Sequence, residues 1–141
     1  MHHSRLCNLE IDCPAETMAA GVSFWSQALG MPAGTPEAPD GRYVPLRGRP
    51  GGLTMEVQRV NEPSGVHMDI ETDDVEAEVK RLEALGAKRV RAVKTWWVME
   101  APTGHRFCVV RPQSPDFQAG ANRWVEYAAV SSDDVRSRPR G

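Results

Sequence analysis

The sequence predicts an α+β domain made of two successive copies of one strand–helix–strand–strand unit. Three observations carry this. Apolar and polar residues alternate over residues 6–13 and again over 66–71, a helical stripe follows each run, and both helices close on Ala-Leu-Gly, at 28–30 and at 84–86. Consecutive copies of one supersecondary unit favour internal pseudo-symmetry over a doubly wound parallel sheet.

Each element has a local reason. In the first copy Leu9, Ile11 and Cys13 share one parity while Asn8, Glu10 and Asp12 share the other, the pattern of a strand with one apolar face. Over 15–29 the period changes. Met18, Val22, Trp25 and Leu29 fall on one helical stripe, closed by Gly30 with Pro32 beyond. Strand-like runs at 42–47 and 53–60 follow, linked through the turn-forming Gly48-Arg49-Pro50-Gly51-Gly52. The unit has room for a third short strand, distinct only in the second copy.

There Val66, Met68 and Ile70 alternate with His67, Asp69 and Glu71. Asp73 is the expected N-cap of the next helix, with Glu76 three residues on as its capping-box partner. The stripe is Val75, Val79, Leu82 and Leu85, Glu76 and Lys80 stand at i,i+4, and Gly86 ends the helix. Strands are expected at 89–93, 95–100 and 106–111. The last two flank Ala101-Pro102-Thr103-Gly104, where Pro102 presets φ and Gly104 accepts a positive one. Beyond 111 the pattern fades, although Phe117 and Trp124 are expected to pack back onto the domain. The expected layout is one domain over 1–112, with modules near 5–60 and 65–112. A C-terminal extension covers 113–141, mobile from about 131 on its Ser-, Asp-, Arg- and Pro-rich composition.

At 141 residues the chain is long enough to bury a core without disulfide or metal staples. Seventeen Lys+Arg against nineteen Asp+Glu leave a net charge of −2, which removes the electrostatic footprint of a nucleic-acid binder. The longest uncharged run, 17–36, is broken by Gly21, Ser23, Ser26, Gln27 and Pro32 and is no membrane span. No apolar signal core opens the chain, so the cytoplasm is the expected compartment. Cys7, Cys13 and Cys108 lack zinc-finger spacing, and Cys7 and Cys13 on one strand cannot bridge each other; buried small side chains in a reducing compartment are expected. No Gly-x-Ser-x-Gly elbow occurs, and Gly51-Gly52 precedes no helix, so neither a serine nucleophile nor a phosphate loop is expected. His2 and His3 carry no expected role.

Several segments together resemble the glyoxalase/bleomycin-resistance/dioxygenase group, the vicinal oxygen chelate superfamily. They are Phe24-Trp25 before Ala28-Leu29-Gly30; Val66-His67-Met68-Asp69-Ile70 with Asp73-Asp74-Val75-Glu76-Ala77 and Leu85-Gly86-Ala87; and Ala101-Pro102-Thr103-Gly104-His105-Arg106-Phe107. The last is similar to the group's Asp-Pro-x-Gly-Asn-x-Phe turn, with Ala101 in place of Asp. The resemblance spans about 5–112. It implies two βαβββ modules forming an open, mixed-sheet barrel with helices outside, a ligand cavity inside, and pairing into a homodimer. Metal-binding members draw one ligand from the first and one from the last strand of each module. Carried over, this implies His67 in module two, Glu10 or Asn8 on the first strand, Glu56 or Gln58 on the last strand of module one, and Cys108 where Glu is usual.

Parity supports part of that set without the resemblance. If Val66, Met68 and Ile70 face the helices, His67 and Asp69 face away, as do Asn8 and Glu10 opposite Leu9 and Ile11, and Glu56 and Gln58 opposite Met55 and Val57. Of Trp96 and Trp97, adjacent on a strand, one joins the core and the other the cavity. The expected ligand cavity is therefore Asn8, Glu10, Gln58, His67, Asp69 and one of Trp96 and Trp97, with Glu56 as proton-moving carboxylate. Any metal would be held by His67, Glu56 and Cys108. His67 taken alone leaves three readings open: a structural partner of Asp69 first, then a ligand, then a general base. No cofactor is fixed by these residues; one divalent ion (zinc, iron or manganese) is the implied candidate. With few strong ligands, the sequence favours a small-molecule-binding protein, and the alternative is a metal-dependent lyase, isomerase or dioxygenase acting on a small oxygenated substrate.

Overall fold

In the computed structural model, which describes residues 1–125, the two copies lie side by side in one eight-stranded mixed sheet. Module one comprises β1 (His2–Pro14), a 3-10 turn over Ala15–Thr17, α1 (Met18–Leu29), β2 (Tyr43–Leu46) and β3 (Thr54–Val60). Module two comprises β4 (Gly65–Thr72), α2 (Val75–Ala84), β5 (Lys88–Val93), β6 (Trp96–Glu100) and β7 (Arg106–Val110). The strand order is β2-β3-β1-β4-β7-β6-β5, an open sheet. In each module the first strand runs parallel to the last, β1 with β3 and β4 with β7, and the modules join where β1 meets β4 antiparallel. That arrangement is the pseudo-two-fold layout the duplicated sequence predicts.

Helices and strands pack as the periodicities dictate. Met18, Val22 and Trp25 of α1 cover a core of Ile11, Cys13, Met31, Leu46 and Val57. Gly21 lets α1 approach closely, since a Cβ there would lie 2.8 Å from Cys13 Sγ. In module two Val79 and Leu82 pack on Met99, Phe107 and Val109. Gly30 ends α1 at φ 64°, a left-handed conformation open to glycine at little cost.

The structure departs from the sequence expectations at identifiable places. β1 starts at His2, four residues earlier than the alternation suggests, because a bulge between Leu6 and Asn8 breaks the period. The extra length is held by β8 (Asn122–Trp124), which pairs with His2–Ser4. The N-cap of α2 is Asp74, whose carboxylate accepts from the Ala77 N–H, and not Asp73, which instead accepts from the backbone and ring of His3. The third strand of module one is reduced to two isolated bridges, Ala33 with Leu46 and Glu37 with Tyr43. Leu29 and Leu85 end their stripes exposed, and buried Met31 closes the first core instead.

His2 is buried, contrary to its expected lack of role. Its Nε2 lies 2.6 Å from Glu78 Oε2, and Glu78 also accepts from Ser4 and from Arg81 through both Nε and Nη2. Beyond β7 the chain folds back, as Phe117 and Trp124 suggested. The N–H groups of Gln113 and Ser114 donate to Glu71, a short α3 (Phe117–Gly120) buries Phe117, and Arg81 stacks 3.9 Å from the Trp124 ring. The tail expected to be mobile from about 131 lies outside the described residues.

Candidate functional site

The side chains that matter stand on the sheet face away from both helices. Register fixes their rows. Glu56 on β3, Glu10 on β1 and His67 on β4 are direct neighbours; alongside them run Thr54, Asn8, Asp69, Cys108, Val98 and Arg91 across β3, β1, β4, β7, β6 and β5. Asp12 and Gln58 form a third pair. Alternation puts these groups on one face because their neighbours Leu9, Ile11, Val57 and Val109 turn toward the helices. Asn8, Glu10 and Asp69 are nonetheless at most 9% exposed with no helix over them, which requires the sheet to curl around them.

Asn8 is the hub. Its Nδ2 donates to Glu10 Oε1 at 3.1 Å, Asp69 Oδ2 at 3.1 Å and Glu56 Oε1 at 3.3 Å, while its Oδ1 accepts from Thr54 at 2.8 Å. Gln58, with its amide oriented as the surrounding acceptors require, donates to Glu10 Oε2 at 2.6 Å and Asp12 Oδ1 at 3.1 Å. His67 Nδ1 is tied to Asp12 Oδ2 at 2.7 Å. That leaves Nε2 facing inward, 3.8 Å from both Glu10 Oε2 and Asp69 Oδ1.

Four carboxylates thus meet one imidazole. Burial, then the nearby Asp69 and Glu56, push Glu10 well above the ordinary carboxylate range. Burial also raises Glu56, although its hydrogen bond with Glu10 opposes the rise. Burial is the largest influence on His67 and acts to lower it, but the Asp12 hydrogen bond and the surrounding carboxylates together outweigh it and raise the imidazole. The Cys108 thiol is pushed up to about 12 by burial and then by Asp69, Glu10 and Asp12. Without a cation it stays protonated and is no nucleophile.

This donor set fits a divalent ion. Ligand atoms of His67, Asp69 and Cys108 lie within 4.8 Å of one another, and so do those of Glu10, Asp12 and His67. A histidine whose Nδ1 is held by a carboxylate while Nε2 faces two further carboxylate oxygens has the outer-shell support of a metal ligand. Asp69 stands in the first group with His67 and Cys108, where the sequence suggested Glu56. Glu56 is placed beside Glu10 and Asn8.

Of the two tryptophans, Trp97 packs with the module-two core, its ring 5.0 Å from the Arg89 guanidinium, while Trp96 takes the opposite strand parity. His105 is exposed in its turn and hydrogen-bonds Thr103. Two residues escaped the sequence reasoning. Asp12 carried a signal, since it shares the parity of Asn8 and Glu10. Arg91 carried none, because a bulge places it.

The family model for the glyoxalase-like domain matches residues 8–110. The chain belongs to this family. Similar solved folds include hypothetical protein BH1468 from Bacillus halodurans, 13% identical over 79% of this chain and 97% of that one, with a TM-score of 0.54. A single-residue variant of methylmalonyl-CoA epimerase from Streptomyces coelicolor, in complex with 2-nitronate-propionyl-CoA, is 15% identical over 78% and 98%, with a TM-score of 0.52. A triple mutant of 4-hydroxymandelate synthase, also from Streptomyces coelicolor, is 13% identical over 90% of this glyoxalase-like chain and 51% of its own length, with a TM-score of 0.50. At these identities the likeness is one of fold. No curated protein matches. No helix among the described residues is long and apolar enough to cross a membrane.

Proposed function

We propose that this glyoxalase-like protein is an enzyme that holds one divalent cation on the open sheet face and moves a proton on a small oxygenated substrate. Lyase, isomerase and dioxygenase reactions are the candidate types. The observation that carries the proposal is the charge imbalance around His67: Glu10, Asp12, Glu56 and Asp69 converge with a single imidazole to offset them. Packing carboxylates together away from water is costly unless protons or a cation compensate.

His67, Asp69 and Cys108 are the candidate ligands, with Glu10 and Glu56 adjoining. Zinc or iron suits the set that includes the thiol; manganese suits the oxygen and nitrogen donors alone. A bound cation would polarise a substrate oxygen. The protein's own contribution is separate. Asp12 holds the His67 ring in place, Asn8 fixes three carboxylates through one amide, and Glu56, beside a Glu10 whose pKa burial raises, is the general base.

The test is metal analysis followed by chelator-competition titration of zinc and manganese into metal-free wild type and His67→Ala. Wild type should bind one equivalent, and the variant should bind at least about 100-fold more weakly, since weak remaining ligands compete poorly with water. A wild type that takes up no stoichiometric metal overturns the proposal. It would leave ligand capture without chemistry, which is favoured by one observation: Asn8, Gln58 and His67 already satisfy the carboxylates' hydrogen bonds among themselves. The protein is further proposed to act as a cytoplasmic homodimer. Its exposed Val66, Met68 and Leu85 supply apolar surface for pairing, and its three free cysteines suit a reducing compartment.

A further inference from the structure

Beyond the carboxylate cluster the site face changes character. The row from Asp69 continues through Cys108 and Val98 to Arg91 on the edge strand β5, and the next row carries Val110, Trp96 and Val93. One pole of the face is therefore acidic, the middle is apolar and aromatic, and the far end is cationic.

Arg91 reaches this face through a specific device. Two residues apart on a regular strand, Arg89 and Arg91 would share a face. The register shifts between them, with Arg89 opposite Met99 and Arg91 opposite Val98, so Val90 is an inserted residue that turns Arg91 over. The outcome separates the two arginines. Arg89 sits on the helix side, saturated by Glu76 and Glu83 of α2. Arg91 is exposed on the site face and makes no hydrogen bond or ion pair with any described residue. A bulge that re-aims a charged side chain beside a candidate site, and leaves it without an internal partner, fits a role toward a ligand.

We propose that Arg91 is a specificity-determining residue that binds the carboxylate of a small monoanionic acid. The acid's apolar body lies over Val98 and Trp96, and its other end carries a neutral oxygen group that reaches the His67 cluster. The inference rests on the reading above for which face is the site. A second anionic group at the far end is disfavoured by the four carboxylates there. The span suits a compact molecule: β5 stands about 10 Å from β7 and about 14 Å from β4 at ordinary strand spacing, and the arginine stem covers part of it.

The test compares 3-phenylpropionate with 3-phenylpropionamide, of nearly equal shape and different charge, by isothermal titration into wild type, Arg91→Met and Arg91→Lys. Wild type should prefer the acid by about tenfold or more, the range of a charge-assisted hydrogen-bonded pair. Arg91→Met should bind acid and amide equally, and Arg91→Lys should retain part of the preference. Zinc or manganese affinity, measured on the same variants, should not change. Equal acid affinity in wild type and Arg91→Met overturns the inference, as does failure of the acid to bind wild type up to millimolar concentration. Acid preference that depends on Arg91 in a wild type without metal affinity supports the inference and removes the metal from the function.

Discussion

Asp12→Asn isolates the contact that aims His67. In the native protein Asp12 Oδ2 lies 2.7 Å from His67 Nδ1, and both side chains are only 16% exposed, so water screens the pair poorly. The substitution keeps size and one acceptor oxygen but removes the charge. Two effects should follow. The imidazole loses the largest influence that raises its pKa, leaving burial to pull it down. Nδ1 also loses the carboxylate that fixes its proton and makes Nε2 a stronger donor. Changes to such supporting partners typically weaken metal affinity by about 10–100-fold, equivalent to roughly 1.4–2.7 kcal/mol. Chelator-competition titration of zinc at pH 7.5 measures this directly, with circular dichroism to show that the fold is kept. Affinity within twofold of wild type, in a folded variant, would mean that Asp12 does not support a ligand and that the hydrogen bond serves only to neutralise the pair.

The remaining expectations concern the scaffold. Glu78→Ala should strand Arg81 and His2 against the buried floor of α2, costing about 3–5 kcal/mol. With urea m-values of about 1–3 kcal/mol/M, the unfolding midpoint should fall by roughly 1–5 M, and a shift below about 0.5 M would contradict that role. Burial acts to raise both Glu78 and Glu71, but Arg81, His2 and Ser4 around the first, and Arg5 with the Gln113 and Ser114 N–H groups around the second, lower both below the ordinary 4.5. Their stabilisation is present above that value and is lost as pH falls through the folded-state pKa. Urea midpoints of Glu78→Gln should therefore lie well below wild type at pH 7, and the gap should close as pH falls from 4.5 through the folded-state value; a constant gap would refute the linkage. Sedimentation should find a species of about 31 kDa for this 15.6 kDa chain, and a monomer at micromolar concentration would argue against pairing.

The sequence exposed the architecture well because alternation and helical stripes record burial directly, and the two Ala-Leu-Gly endings fixed the repeat. Parity also separated Asn8, Glu10, Glu56, Gln58, His67 and Asp69 from the core face, since each stands on a strand stretch with an unbroken period. The errors fall where that period breaks. The bulge near Cys7 hid the first four residues of β1, and with them the buried role of His2, because β8 and Glu78, more than 70 residues distant in sequence, decide it. The bulge at Val90 hid Arg91 in the same way. Asp12 was passed over for another reason. Its parity was legible, but its pairing with His67 depends on which rotamers a crowded set of carboxylates leaves open, and no one-dimensional pattern records that. Strand parity sorts side chains to a face, and bulges revise the sorting. The electrostatics of the face belong to the assembled sheet, where carboxylates from β1, β3 and β4 become neighbours only after the two modules have joined.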